Sequence, residues 1–386
     1  MLDLVSFFKL AIAFFIISSC ATFQTEREST PEGNDQNETS FLEKTDAIYD
    51  AFSRNSDKGL PVYEPIPIES NPRVDKWMRY YQTNGRKTFE TWLNRGETIK
   101  GLIISALQEE GLPPELYFMS LIESGFNYHA RSPKKATGPW QFVAGTAKMY
   151  GLKVNDWVDE RRDPVKSTRA AAAYIRDLKT QFGDWYLALA AYNAGPGTIY
   201  RAIKKAKSRD YWTLSKDRII RRETKDYIPK LIAAITLGSD PETYGFNIAG
   251  GTQHYPSTSI TIERPVKLDQ VAQALDIPFA VLRQWNPELI RHITPPPQWI
   301  PEDGYALRLS DEHAARFDEI EPSLPYLKVR DVMIHKIRKG ETLSSLARLY
   351  KVSIKRILSL NPQLKPRLLS IGSKVAVPVP EVVEAV

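Results

Sequence analysis

Between residues 72 and 240 the apolar positions recur at the three- and four-residue spacing of amphipathic helices, and no run keeps the two-residue alternation of a strand. Pro72 to Thr83, with Trp77, Tyr80 and Tyr81, and Arg86 to Arg95, with Phe89, Trp92 and Leu93, read as short helices broken at Gly85 and Gly96. Such aromatic stripes read as packing surface. Helices are also expected at 97–110, stopping at Gly111, and at 113–126, Pro164–Gln181, Trp185–Tyr192, Thr198–Lys207 and Arg218–Leu237, with Arg131–Gly145 as a loop.

From about residue 255 the pattern changes to strand-like pieces and proline, and it repeats. Leu268, Ala272, Ile277, Asn286, Pro287 and Leu289 match Leu343, Ala347, Val352, Asn361, Pro362 and Leu364, every pair 75 residues apart. A fixed offset over six positions marks two copies of one small module. Each copy reads as a strand, two short helices and a second strand, the latter at Tyr305–Leu309 and Lys374–Val377. The first copy carries an extra proline-rich loop at 295–301.

The N-terminus differs from both regions. Residues 10–17, LAIAFFII, follow Lys9 and suit the core of an export signal, being too short to span a bilayer as a helix. Ile17-Ser18-Ser19-Cys20 then resembles a bacterial lipobox, with Cys20 as the lipidated first residue of the mature chain; an ordinary signal with an incidental cysteine is the alternative. Residues 21–71 read as a flexible tether, polar at first and then proline-rich at 60–67, where extended conformation is favoured.

Composition narrows the function classes. With 386 residues the chain holds two or three domains, and 42% apolar and 25% charged residues suit a folded protein. Cys20 is the only cysteine, so intrachain disulfides and cysteine metal sites are excluded. The net charge of +6 is a mild basic bias, and without a helix-turn-helix, zinc-finger or RNA-binding aromatic motif nucleic acid is not expected as a partner.

One stretch points to chemistry. In PPELYFMSLIESGF (113–126) the prolines fall in a helix's first turn and Gly125 at its stop. Leu116, Met119 and Glu123 share one face, which puts a carboxyl group on an apolar surface near a helix C-terminus. Burial and the helix end both disfavour the ionised form, and a carboxyl kept neutral near pH 7 is what a general acid needs. A lone glutamate at the solvent edge of a helix would look the same.

The signals that follow separate the two readings. Glu123-Ser124-Gly125-Phe126, Gly138-Pro139-Trp140-Gln141, Ala191-Tyr192-Asn193 and Glu223-Thr224-Lys225-Asp226-Tyr227 stand in order, and with them the helical block resembles the catalytic domain of lytic transglycosylases, relatives of goose-type lysozyme. The repeats resemble lysin motifs, which bind chains containing N-acetylglucosamine; His335 to Leu343 is the better match, whereas the first copy has Arg264-Pro265-Val266-Lys267-Leu268 in place of the Gly-Glu-Thr-Leu turn. The resemblance covers about residues 72–380.

It implies a multidomain protein: a lipoprotein signal (1–20), a tether (21–71), a mainly α, lysozyme-like catalytic domain (72–245) and two small βααβ modules, a degenerate one at 258–310 and a fuller one at 333–380. Peptidoglycan glycan strands are the implied partner, cleaved between N-acetylmuramic acid and N-acetylglucosamine to give 1,6-anhydromuramic acid. A monomer is expected, lipid-anchored in the cell envelope at the outer membrane and facing the periplasm, with no metal and no organic cofactor. By resemblance Glu123 is the catalytic acid and base, and Ser124 positions the substrate's N-acetyl group or Glu123 itself. Gln141, Tyr192, Asn193, Glu223 and Tyr227 line the substrate site. For the two tyrosines, core packing with a satisfied hydroxyl is the alternative. Pro139 and Trp140 stand where the family has leucine and methionine, which leaves the contacts of those side chains open. A water-using muramidase and a non-catalytic wall-binding protein are the competing functions.

Overall fold

The computed structural model describes residues 63–384, apart from 217, 250–254, 297–303, 326, 331, 351, 365–368 and 378–380. The signal, Cys20, most of the tether and part of the proline-rich loop at 295–301 lie outside the described residues.

The helical block contains α1 (Pro72–Gln82), α2 (Arg86–Glu97), α3 (Lys100–Glu109), a 3-10 turn (Pro114–Leu116), α4 (Tyr117–Ser124) and α5 (Ala144–Met149), then α6 (Pro164–Phe182), α7 (Trp185–Ala194), α8 (Pro196–Ala206), α9 (Tyr211–Lys216) and α10 (Arg222–Ser239). Local chemistry sets the boundaries. Asn71 accepts from the Arg73 and Val74 amides at the start of α1, and Asp163 accepts from those of Val165 and Lys166 at the start of α6, each with proline at the first helical position. Gly183 closes α6 with φ 71°.

Two helices are buried on every side. In α4 the run Tyr117–Ile122 is buried, and in α7 so is Trp185–Ala191. A helix apolar all round must be surrounded, and α7 packs against α6, α8 and α10 while α4 packs against α10.

Three local expectations change. The α-helix of the 113–126 stretch begins only at Tyr117, because Pro114–Leu116 tighten into the 3-10 turn. Gly96 breaks nothing: it lies inside α2, where a Cβ would sit 2.1 Å from the Tyr117 hydroxyl, so it is the close-approach point of α2 and α4. Residues 63–71 lie against the block, with Ile66 buried, Trp185 Nε1 donating to the Glu64 carbonyl (3.1 Å) and the Tyr186 hydroxyl to that of Pro67 (2.7 Å).

The first small module pairs β1 (Ser259–Ile262) antiparallel with β2 (Tyr305–Arg308), with α11 (Leu268–Ala274) and α12 (Phe279–Trp285) between them. Two short helices, α13 (Asp311–Ala315) and α14 (Phe317–Ile320), follow, and the module's apolar cluster reaches Phe317 and Leu324. β3 (Leu327–Arg330) then leads into the second module, which pairs β4 (Met333–Lys336) with β5 (Lys374–Val377) around α15 (Leu343–Leu349) and α16 (Ile354–Leu360); β6 (Glu381–Glu384) returns to pair with β3.

The repeated asparagine has one structural job in both modules. Asn286 donates to the carbonyls of Leu282 and Arg308 and accepts from the Arg308 amide; Asn361 does the same with Ile357 and Ala376. One buried amide thus ties the second helix to the closing strand and satisfies backbone groups there. Among the described residues no helix is long and apolar enough to cross a membrane.

Candidate functional site

The two helices with these buried runs both end at a cleft of about 890 Å³. Glu123 sits at the C-terminal end of α4, where Gly125 turns the chain with φ 59°; a Cβ on Gly125 would strike the Trp92 ring at 2.2 Å. Tyr192 and Asn193 end α7, one wall of the same cleft. A third wall is one face of α10, where Glu223, Asp226, Tyr227 and Lys230 recur at i, i+3, i+4 and i+7. The 131–146 segment closes the fourth side with Ser132, Lys134 and Gln141.

Glu123 is half-buried and accepts a hydrogen bond from the buried Tyr227 hydroxyl, 2.8 Å from Oε1. Burial raises its pKa to about 7; the Tyr227 bond and the Lys230 charge pull it down, and the Glu223 charge pushes it up. The Tyr192 and Tyr227 hydroxyls are held well above their usual range, chiefly by burial and then by the Glu123 charge, so both stay protonated donors. The Tyr192 hydroxyl donates to the Trp140 carbonyl at 2.8 Å.

Six of the seven substrate-site candidates line this cleft: Glu123, Gln141, Tyr192, Asn193, Glu223 and Tyr227. Asn193 accepts from the Thr224 hydroxyl (3.0 Å), which locks α7 to α10, and Gln141, at φ 48°, donates to the carbonyls of Gly138 (2.8 Å) and Ala130. Glu223 is exposed at the mouth, 4.0 Å from Lys134. Ser124 is not part of the lining. Its hydroxyl donates to the Pro139 carbonyl (2.9 Å) and accepts from the Asn127 amide (3.2 Å), tying the end of α4 to the loop. Pro139 and Trp140 contribute carbonyls to these ties, while the Trp140 ring is buried and donates to Thr168 (2.9 Å).

Sequence reasoning missed several cleft residues, Lys134 among them. Ser132 accepts from the Ala136 amide at 3.1 Å and keeps its own proton to donate. Lys230 is half-buried, its ammonium 5.4 Å from the Trp77 ring centroid, and burial lowers its pKa against the opposing charges of Glu123, Asp226 and Glu223. Trp77, read as packing, lines the cleft, and so does Asp226, 3.7 Å from Arg222. The spacing of α10 from Tyr227 would have found Asp226 and Lys230; the serine nearer to Glu123 in sequence concealed Ser132.

The chain is similar in sequence to known proteins over most of its length. The transglycosylase SLT domain matches residues 101–215, the LysM-like domain of lytic transglycosylase MltD residues 257–326, and the LysM domain residues 335–378. The chain is 29% identical over 328 residues to membrane-bound lytic murein transglycosylase D of Escherichia coli strain K12, covering 79% of this chain and 70% of that protein. It is 28% identical over 127 residues to the soluble lytic murein transglycosylase of the same strain, covering 31% of this chain and 20% of that one. Among solved structures, the soluble lytic transglycosylase of Escherichia coli aligns over 54% of this chain and 44% of its own at 17% identity, with a TM-score of 0.33, too low to bear on the fold.

Proposed function

We propose that this chain, a lytic transglycosylase built from an SLT domain and two LysM-type modules, cleaves peptidoglycan glycan between N-acetylmuramic acid and N-acetylglucosamine, with Glu123 as its one acid and base. The observation that carries the reading is the Glu123 carboxyl on the cleft wall, held to a pKa of about 7 by burial and bonded to Tyr227. Near neutral pH that carboxyl is present in both protonation states, as a group that first gives and then takes a proton must be.

Glu123 protonates the glycosidic oxygen, and the C1–O4 bond breaks to release the N-acetylglucosamine hydroxyl. The substrate's N-acetyl oxygen shields the positive charge at C1. The Glu123 carboxylate then takes the C6 hydroxyl proton as that oxygen bonds to C1, giving the 1,6-anhydro sugar without water and returning Glu123 to its acid form. The Tyr227 hydroxyl stabilises the carboxylate between the two steps, when the charge is on Glu123. Ser132 is the lining hydroxyl suited to bond the N-acetyl group, and Ser124 acts through its tie to Pro139. Gln141, Tyr192 and Asn193 hold sugar rings, and Glu223 sits at the mouth with Lys134.

Binding of glycan by the second module, a monomeric state, and an anchor at Cys20 that holds the protein to the outer membrane in the cell envelope complete the reading. Two further carboxylates in the cleft, Asp226 and Glu223, favour the second reading, a muramidase that activates water with one of them. Mass spectrometry of purified peptidoglycan digested by the wild-type and Glu123→Gln proteins decides between them. Anhydro products absent from the variant are expected; products heavier by one water mean a muramidase. No product from either protein, with both still bound to the wall, means a binding protein.

A further inference from the structure

We infer that Arg308, a residue of the first small module, is a positioning residue for the cleavage reaction: it fixes the helical block's 131–143 loop, and with it one wall of the cleft. The inference rests on the transglycosylase reading above.

The guanidinium crosses between regions 145 residues apart in sequence. Its Nη2 donates to Asp163 Oδ2 at 2.7 Å, and Asp163 is fully buried. The other oxygen of Asp163 caps α6 through the Val165 and Lys166 amides. Within the module, Arg308 Nη1 lies 3.5 Å from Glu288 Oε1, which also accepts from the Tyr305 hydroxyl at 2.6 Å. The junction continues along the backbone: the Asp159 amide donates to the Glu288 carbonyl (2.9 Å) and the Ile290 amide to that of Trp157 (3.0 Å). Trp157 and Val158 belong to the module's apolar cluster, so its core is completed by residues of the helical block.

From this junction a clamp reaches the cleft. Asp159 holds Arg161 through two 2.7 Å bonds, both residues buried, and Arg161 Nη1 donates to the carbonyls of Lys135 (3.0 Å) and Phe142 (3.1 Å). Those carbonyls bracket the turn that precedes Gln141, and Ser132 and Lys134 stand just before it. The fit is tight: a Cβ on Gly138, at φ 84°, would lie 1.7 Å from the Arg161 carbonyl oxygen.

The energetics favour positioning over stability as the use of these charges. A buried ion pair recovers little more than its own desolvation, so an apolar replacement of the whole pair would hold the two parts together as well, whereas removing one partner strands the other's buried charge. Charged groups with directional bonds fix register instead, and transition-state complementarity is sensitive to displacements of about 1 Å.

The test is Arg308→Met in the full chain, with turnover measured on a soluble glycan oligomer, retention measured on insoluble cell wall, and amide exchange followed across 131–143. The expected result is kcat lower by about ten- to a hundredfold, unchanged retention, faster exchange in 131–143, and partial recovery in Arg308→Lys. Asp159→Asn should give the same split, and the double variant should be no worse than the poorer single one; if Arg308→Met does not fold, Arg308→Lys and Asp159→Asn decide. A folded Arg308→Met protein with wild-type kcat overturns the proposal, as does loss of wall retention at unchanged kcat, which would make Arg308 a glycan-binding residue. Wild-type protein yielding no anhydro product would instead sink the transglycosylase reading, and this proposal with it.

Discussion

The two small modules share a sequence pattern and an asparagine staple, yet they are integrated differently. Seven residues more separate Asn286 from its partner strand than separate Asn361 from its own, and the first module's turn is sewn to that longer segment by the Thr294 amide donating to the Val266 carbonyl, the Val266 amide donating to the Thr294 hydroxyl, and the Lys267–Ile293 bridge. Its core takes in Trp157 and Val158, and its Arg308 ends on the capping residue of α6. The second module keeps a small cluster of its own, Ile337, Leu343, Leu346, Ile357, Val375 and Val377, and its turn is organised locally by Glu341, which accepts from the Arg338 amide and bonds His335. Duplication supplied one scaffold; where its polar and apolar surface was satisfied decided whether it became part of the enzyme's frame or a separate head.

The largest effect that sharpens this contrast is Glu123→Gln. Turnover should fall by about a thousandfold or more on soluble and insoluble glycan alike, with wall retention intact, which separates chemistry from both modules. A residual rate within tenfold of wild type would break the assignment of Glu123.

Ending the chain after residue 326 comes next. Turnover on a soluble oligomer should hold, while digestion of insoluble wall should fall by about tenfold or more because effective concentration is lost. An equal loss on both substrates would erase the distinction between the modules.

Removing the staple is subtler. Asn286→Ala and Asn361→Ala each strand buried backbone groups at a cost of about 2–4 kcal/mol. Calorimetry should show the first lowering the main transition, whose cooperative unit includes the helical block, and the second lowering only a minor one. Identical shifts would mean that the modules unfold alike.

The smallest effect lies in pH. With Glu123 near pKa 7, activity should decline as pH rises through about 7. Lys230→Met removes a charge that pulls this value down, so the decline should move to higher pH, and an unmoved limb would remove Lys230 from the site. Stability falls in the same direction. The folded pKa of about 7 lies above the unperturbed value of 4.5, so the cost of holding the charged carboxyl is absent below about 4.5 and complete above about 7. Glu123→Gln should therefore raise Tm more at pH 8 than at pH 4.

What the sequence made legible follows from the range of the interactions. That Glu123 faces a cleft could be read from helix spacing, and that Tyr192, Asn193 and Tyr227 face it from the resemblance of their short motifs. The two serines were confused because proximity to Glu123 in sequence says nothing of the Pro139 carbonyl, 15 residues away, which uses the Ser124 hydroxyl. Gly96 looked like a stop, since a glycine needed for the approach of Tyr117 is indistinguishable in sequence from one that ends a helix. The Arg308–Asp163 contact had no local signature at all.

The most direct test of the central claim is digestion of purified peptidoglycan in water enriched in oxygen-18, with mass spectrometry of the sugar ends. If Glu123 works alone and the C6 hydroxyl is the nucleophile, the new ends are 1,6-anhydro sugars carrying no label. Reducing ends bearing one labelled oxygen would show that water attacks C1, and would make Asp226 or Glu223 the missing base.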